Sequence, residues 1–289
     1  MKTEKDELPA ESIPSLHAHL AGIALTSTDP QRLSEFYVEA MGYHGDQSAE
    51  TWTGSLDARW LTIRAGATNK LEHVAFALPD QHSLADLRNR LHVAGVEFEE
   101  VASDRLLGAS IKCADPDGNA LRFGIAINQL TYDGPAYRSC RLQHIVFASD
   151  EPTAMVRFYC SVIGFAPSDY VKDGADNLTS AFLRCSTEHH SLAIFRAPRK
   201  RLDHFCYDVE DWMYIRDWAD RFAERRITLR WGPGRHGPGN NLFFFVNDPD
   251  GNWLEFSSEL ERVESARPVG LWAHEERTLN SWGAAHMRS

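Results

Sequence analysis

His144, His204 and Glu255 each fall in a short run that reads as a β-strand: LQHIVFAS, LDHFCYD and NWLEFSS. Two neutral imidazoles and one carboxylate form the donor set of a facial triad. Such a triad holds Fe(II) or a similar divalent ion on one side and leaves positions open for ligands. It exists only if three strands distant in sequence lie together. A single strand histidine is more often a buried core residue than a ligand, so the case depends on what could bring the three runs together.

Internal repetition supplies that arrangement. Residues 20–43 (LAGIALTSTDPQRLSEFYVEAMGY) match 142–165 (LQHIVFASDEPTAMVRFYCSVIGF) in kind, each a strand, a cap region, a helix with an aromatic pair, then glycine and an aromatic. Residues 71–96 match 202–227, and CADPDGNALRF (113–123) matches VNDPDGNWLEF (246–256). Position 22 maps to 144, 73 to 204 and 115 to 248, offsets of 122, 131 and 133 that drift only by small loop insertions. The halves are two copies of one plan, and a repeat of this kind sets the fold. Within each half a unit of strand, helix and several strands recurs, starting near His19, Leu71, Leu142 and Leu202. Apolar spacing of 3–4 predicts helices over 31–41, 83–94, 152–163 and 210–224. Strands are expected at 58–63, 181–185 and 192–195, with turns at both DPDG sequences. If local pseudo-symmetry relates the two units of the second half, their first strands pair. His144 and His204 then take equivalent places on one sheet, with Glu255 facing the same cavity. The first half has Gly22, His73 and Arg122 at these positions, so only one copy is equipped to bind a metal.

The organisation expected is an N-terminal extension (1–16), a first domain lacking a metal site (17–128), a linker (129–140), a second, catalytic domain (141–261) and a C-terminal tail (262–289). The tail lacks clear periodicity, yet it carries Trp272 and Trp282, which suits packing on a neighbouring chain. The 289 residues carry 41 acids against 30 bases, a net charge of −11. That surplus argues against nucleic acid, which needs a basic face, and against anionic membranes. The amino terminus lacks the apolar core of a secretory signal. Five scattered cysteines without a C-x-x-C pair suit reduced thiols in a cytoplasm. The basic run RAPRKR (196–201) reads as a solvated hairpin turn.

In combination and in order, LQHIVF, EHHSLAIF, RLDHF, RHGPGNN and DPDGNWLEF resemble the type I extradiol ring-cleaving dioxygenases of the vicinal oxygen chelate superfamily, over roughly residues 17–260. The resemblance implies an α+β fold of two tandem domains, each of two βαβββ modules with curved mixed sheets. It implies His144, His204 and Glu255 as ligands of Fe(II), with Mn(II) as the alternative, and O2 as co-substrate. It implies His190 as the acid–base histidine, with His189 in that role if the hairpin register shifts by one, and His236 as a histidine contacting the substrate. The partner implied is a small catechol-like diol, cleaved with both oxygen atoms inserted, in a cytoplasmic homo-oligomer.

One position departs from the family. A tyrosine is usual ten residues before the glutamate ligand, and Phe245 stands there. Phenylalanine donates no hydrogen bond. Phe243 and Phe245 are expected to line the substrate space, or else to be strand core. The departure keeps two alternatives open: a metal-dependent lyase or isomerase of the same superfamily, and a non-catalytic protein of the same fold that binds aromatic ligands.

Overall fold

The computed structural model describes residues 8–10, 13–48, 50–127, 138–264 and 267–286. Its first half runs β1 (His19–Ser27), α1 (Pro30–Phe36), β2 (His44–Ser48), β3 (Thr51–Leu56), β4 (Arg59–Ala65), β5 (Lys70–Ala77), α2 (Gln81–Val93), β6 (Phe98–Val101), β7 (Leu107–Ala114) and β8 (Ala120–Ala126). The second half repeats this order with β9 (Arg141–Ser149), α3 (Pro152–Arg157), β10 (Ala166–Lys172), β11 (Leu178–Arg184), β12 (Leu192–Arg196), β13 (Arg201–Asp208), α4 (Trp212–Glu224), β14 (Trp231–Arg235), β15 (Leu242–Asn247) and β16 (Trp253–Ser258). Each half is therefore two βαβββ modules, and the fold is α+β. The four expected helices are present with ends shifted by at most two residues. α1 and α3 run on into π-helical turns (Tyr37–Met41 and Phe158–Ile163) and stop at Gly42 and Gly164, whose φ of 84° and 102° suits glycine.

The first sheet has the order β2-β3-β4-β1-β5-β8-β7-β6. The second has β14-β15-β16-β13-β9-β12-β11-β10, extended at its β10 edge by β17 (Gly270–Ala273). The leading strands of the two modules pair antiparallel at the middle of each sheet, β1 with β5 and β9 with β13. Alternation along β9 separates the two faces of the second sheet. Ile145 and Phe147 belong to the main core, with Phe205, Phe256, Trp218 and Phe222. Val146 lies on the opposite, cavity-facing side with Phe182 and Ala193.

The DPDG sequences make the expected turns, and they also lock the halves together. Asp115 accepts a hydrogen bond from the Tyr159 hydroxyl (2.8 Å), and Asp248 accepts one from Tyr37 (2.9 Å). Each aspartate thus ties its turn to the π-helical aromatic of the other half. Residues 267–286 pack against the second half of their own chain. β17 pairs parallel with β10, the Trp272 indole donates to Asp169 (2.8 Å), and Trp282 packs on Trp212 at 5.8 Å. α5 (Glu276–Leu279) follows. Residues 128–137, most of the expected linker, lie outside the described residues. Among the described residues, no helix is long and apolar enough to cross a membrane.

Candidate metal centre

The antiparallel register of β9 on β13 pairs His144 with Cys206, Ile145 with Phe205, and Val146 with His204. A local two-fold through the Ile145–Phe205 pair therefore exchanges His144 and His204, and both project to the cavity face. On β13's other side, β16 runs parallel and sets Glu255 beside Cys206. One Glu255 oxygen, Oε2, lies 3.2 Å from His144 Nε2 and 3.3 Å from His204 Nε2. One donor atom from each of the three residues lies within 4.8 Å of the others, and all three residues are buried.

Two β-bulges orient the imidazoles. Pairing skips Gln143, just before His144, and Asp203, just before His204. An extra residue in a strand re-aims its side chain. Each bulged residue here bonds the Nδ1 of the histidine that follows it: Gln143 Oε1 at 2.6 Å from His144, and Asp203 Oδ1 at 2.7 Å from His204. The Gln143 amide is not free to turn over, because its Nε2 donates to the His190 carbonyl (2.7 Å). Both Nδ1 atoms are therefore hydrogen-bond donors, which turns both Nε2 atoms toward the Glu255 oxygen, where a cation would take the place of their protons. Three electron-pair donors converging in a buried space fit a divalent cation, with the outer partners fixing tautomer and ring angle as metal-ligating histidines require.

The same contacts govern the charges. Burial alone raises the Glu255 carboxyl, but hydrogen bonds from His144, His204 and His236 outweigh it and hold the group well below the usual carboxylate range. Burial lowers His144. For His204, burial is outweighed by bonds to Asp203 and Glu255, and the ring is held above the usual histidine value. Burial and then His144 push His190 well below it, so its resting form is neutral.

Around the triad the structure distinguishes the remaining candidates. His190 lines the pocket, its ring centroid 4.3 Å from that of His144. His189 is fully buried behind it, with the two Nδ1 atoms 3.0 Å apart and His189 Nε2 3.1 Å from Asp169. His236 reaches the pocket from the RHGPGNN loop. Its Nε2 is 3.4 Å from Glu255 Oε1, and its Nδ1 donates to the Leu279 carbonyl in α5. Phe245 lies beside Glu255 in the β15–β16 register and lines the pocket, its ring 5.2 Å from His204. Phe243, expected to line the substrate space, does not. It shares that face of β15, but the His236 ring stacks on it at 3.8 Å and covers it. The basic run lies in the turn between β12 and β13, where Lys200 pairs with Asp117 (3.0 Å), away from the pocket.

Several site residues were not foreseen. Gln143 and Asp203 carry a signal, since LQH and LDH place a side-chain acceptor before the candidate histidine in both modules of the second half. Asn241, which donates to Glu255 (3.2 Å) and Ser257 (2.7 Å), lies in the already suspicious loop. The pocket's outer wall comes from His274, Thr278, Leu279 and His286, and their aperiodic segment gave no sign of it.

The family model described as the Glyoxalase/Bleomycin resistance protein/Dioxygenase superfamily matches residues 18–123 and 141–256. Metapyrocatechase 2 of Cupriavidus necator is 30% identical over 251 residues, covering 78% of this chain and 75% of the relative. The iron-dependent extradiol dioxygenase of Rhodococcus jostii is 27% identical over 243 residues, covering 74% and 81%. Homoprotocatechuate 2,3-dioxygenase of Brevibacterium fuscum, solved anaerobically with 3,4-dihydroxyphenylacetate, superposes with a TM-score of 0.81 at 21% identity, covering 98% of this chain and 92% of that one. The chain belongs to the Glyoxalase/Bleomycin resistance protein/Dioxygenase superfamily, among its extradiol ring-cleaving dioxygenases.

Proposed function

We propose that the protein cleaves a catechol-like diol outside its two hydroxyls, inserting both atoms of O2, at an Fe(II) held by His144, His204 and Glu255. The observation that carries this reading is the convergence of two Nδ1-anchored imidazoles and one carboxylate in a buried pocket. This nitrogen and oxygen donor set also accommodates Mn(II). The iron-dependent relative favours Fe(II). When bound, the metal supplies positive charge and open positions that gather diol and O2 and pass electrons between them.

The protein groups supply protons and enclosure. His190, neutral at rest and beside the triad, accepts a proton from a substrate hydroxyl and returns it to a product oxygen. His236 presents Nε2 to the same space, with its Nδ1–H committed to Leu279. It binds and orients the substrate oxygens. Phe245 offers no hydroxyl, so proton handling falls to these two histidines. The aromatic wall excludes water, which strengthens every charge interaction inside. The five unpaired cysteines support a reduced, cytoplasmic setting. Assembly as a homo-oligomer belongs to the same reading.

Anaerobically isolated protein should contain about one iron per triad and take up O2 with simple catechols, forming ring-opened products. Iron-loaded protein inert toward a broad panel of diols would contradict the proposal.

A further inference from the structure

A neutral imidazole takes a proton only at the nitrogen that carries none, so His190 can serve as a base toward the pocket in only one of its two tautomers. A buried chain of groups stands behind it. His190 Nδ1 lies 3.0 Å from His189 Nδ1. His189 is fully buried, and its Nε2 lies 3.1 Å from Asp169 Oδ2. The His189 amide donates to the Glu261 carbonyl (2.9 Å). Gly239 lets the ring in close, since a Cβ there would stand 3.1 Å from His189 Nδ1. Asp169 is fixed as firmly. Pairing of β10 with β11 skips Ser168, just before it, and such a bulge re-aims the side chain. Asp169 Oδ2 accepts from the Trp272 indole (2.8 Å), and Oδ1 accepts from Arg267 (3.1 Å). Burial raises the Asp169 carboxyl, but His189, Trp272 and Arg267 hold it below the usual carboxylate range.

The proton positions follow one from another. An ionised oxygen 3.1 Å away repels a lone pair, so His189 Nε2 carries a hydrogen. Arg267 pairs with both Asp169 and Glu261, and Arg184 lies within their field, so a neutral His189 leaves the cluster balanced. Its Nδ1 is then an acceptor. Two lone pairs would repel across the short Nδ1–Nδ1 contact, so His190 Nδ1 donates there. The lone pair of His190 is left on Nε2, across the ring from His189 and on the side of the pocket. Resting on the acid–base role proposed for His190, we infer that His189 and Asp169 are positioning residues that hold His190 in its Nδ1–H tautomer, with Nε2 unprotonated to receive the substrate's proton.

The test reads the protons directly. Long-range proton–nitrogen NMR is recorded on the full chain with isotope-labelled histidines, loaded with diamagnetic Zn(II). The two signals are assigned by their loss in His190→Asn and His189→Phe. His190 should be protonated at Nδ1 and His189 at Nε2. A proton on His190 Nε2, or protons on both nitrogens of His189, would overturn the inference. In the iron-loaded enzyme, His189→Phe keeps a ring but no nitrogen. It should lower kcat for a catechol by about 10- to 100-fold, less than the roughly 10,000-fold of an enforced wrong tautomer, with KM and metal content held. Unchanged kcat, or a fall matched by lost metal or a raised KM, would also overturn it. A wild type that turns over no diol would remove the proposed reaction, while the NMR readings would still decide the tautomer.

Discussion

The two halves of this chain share a fold, a pair of central strands and even their bulges, yet among the described residues only the second gathers a triad that could hold a metal ion. In the first half, pairing of β1 and β5 skips Ala21 and Glu72, just as pairing of β9 and β13 skips Gln143 and Asp203. The residues after those bulges are Gly22 and His73, where the second half has His144 and His204. Trp60, opposite Gly22 across β1 and β4, fills the space an imidazole would need. A Cβ on Gly22 would lie 2.1 Å from its indole. In place of Glu255 stands Arg122, bonded to Asp104 (2.6 Å) and Ser110 (3.0 Å). The first half thus carries a fixed guanidinium at the register position where the second half carries an anion. The bulged two-fold pair belongs to the module, and the triad needs two side chains the first half lacks, an imidazole where Gly22 stands and a carboxylate where Arg122 stands.

Changes to the residues that set the second half apart should cost most. Glu255→Gln removes the only anionic ligand. Activity should fall by more than the roughly 10–100-fold typical of losing an outer partner, and metal content should fall with it, measured by O2 uptake and elemental analysis. His190→Asn should lower kcat by about 100- to 10,000-fold, the range for a lost acid–base group, while metal content stays intact. Loss of metal in that variant would reassign His190 to a structural role. Asp203→Asn gives the second half a neutral bulge residue. It should weaken metal affinity or activity by about 10- to 100-fold, read by competition with a chelator. The reverse change, Gly22→His, should create no second site. It should destabilise the protein by about 1–3 kcal/mol through overpacking against Trp60, seen in denaturant unfolding, with metal content unchanged.

The sequence revealed the module order and the ligand set because both are periodic. Helical spacing of 3–4 and the repeated runs around positions 22, 144, 73 and 204 are local signals, and the two-fold register follows from the repetition. His190 and His189 are not told apart locally, since adjacent residues differ by one step of a hairpin; it is the bonding of His189 to the Glu261 carbonyl and Asp169 that turns it away and leaves His190 on the pocket. Phe243 was misplaced for a related reason. Alternation correctly puts it on the face of Phe245, but the His236 ring that covers it comes from a loop whose path strand periodicity does not encode. The outer wall was hidden altogether. His274, Thr278 and Leu279 act through a four-residue strand and a four-residue helix, too short to leave a period, and they are held by β10 and the glycine-rich loop.

The pseudo-equivalent histidines His73 and His204 are expected to have unequal roles. Elemental analysis of anaerobically purified protein tests it most directly, comparing wild type with His73→Ala and His204→Ala. The wild type and His73→Ala should each hold about one divalent ion per chain, matching the single triad among the described residues, and His204→Ala should hold almost none. Two ions per chain in the wild type, or loss of metal in His73→Ala with retention in His204→Ala, would contradict it.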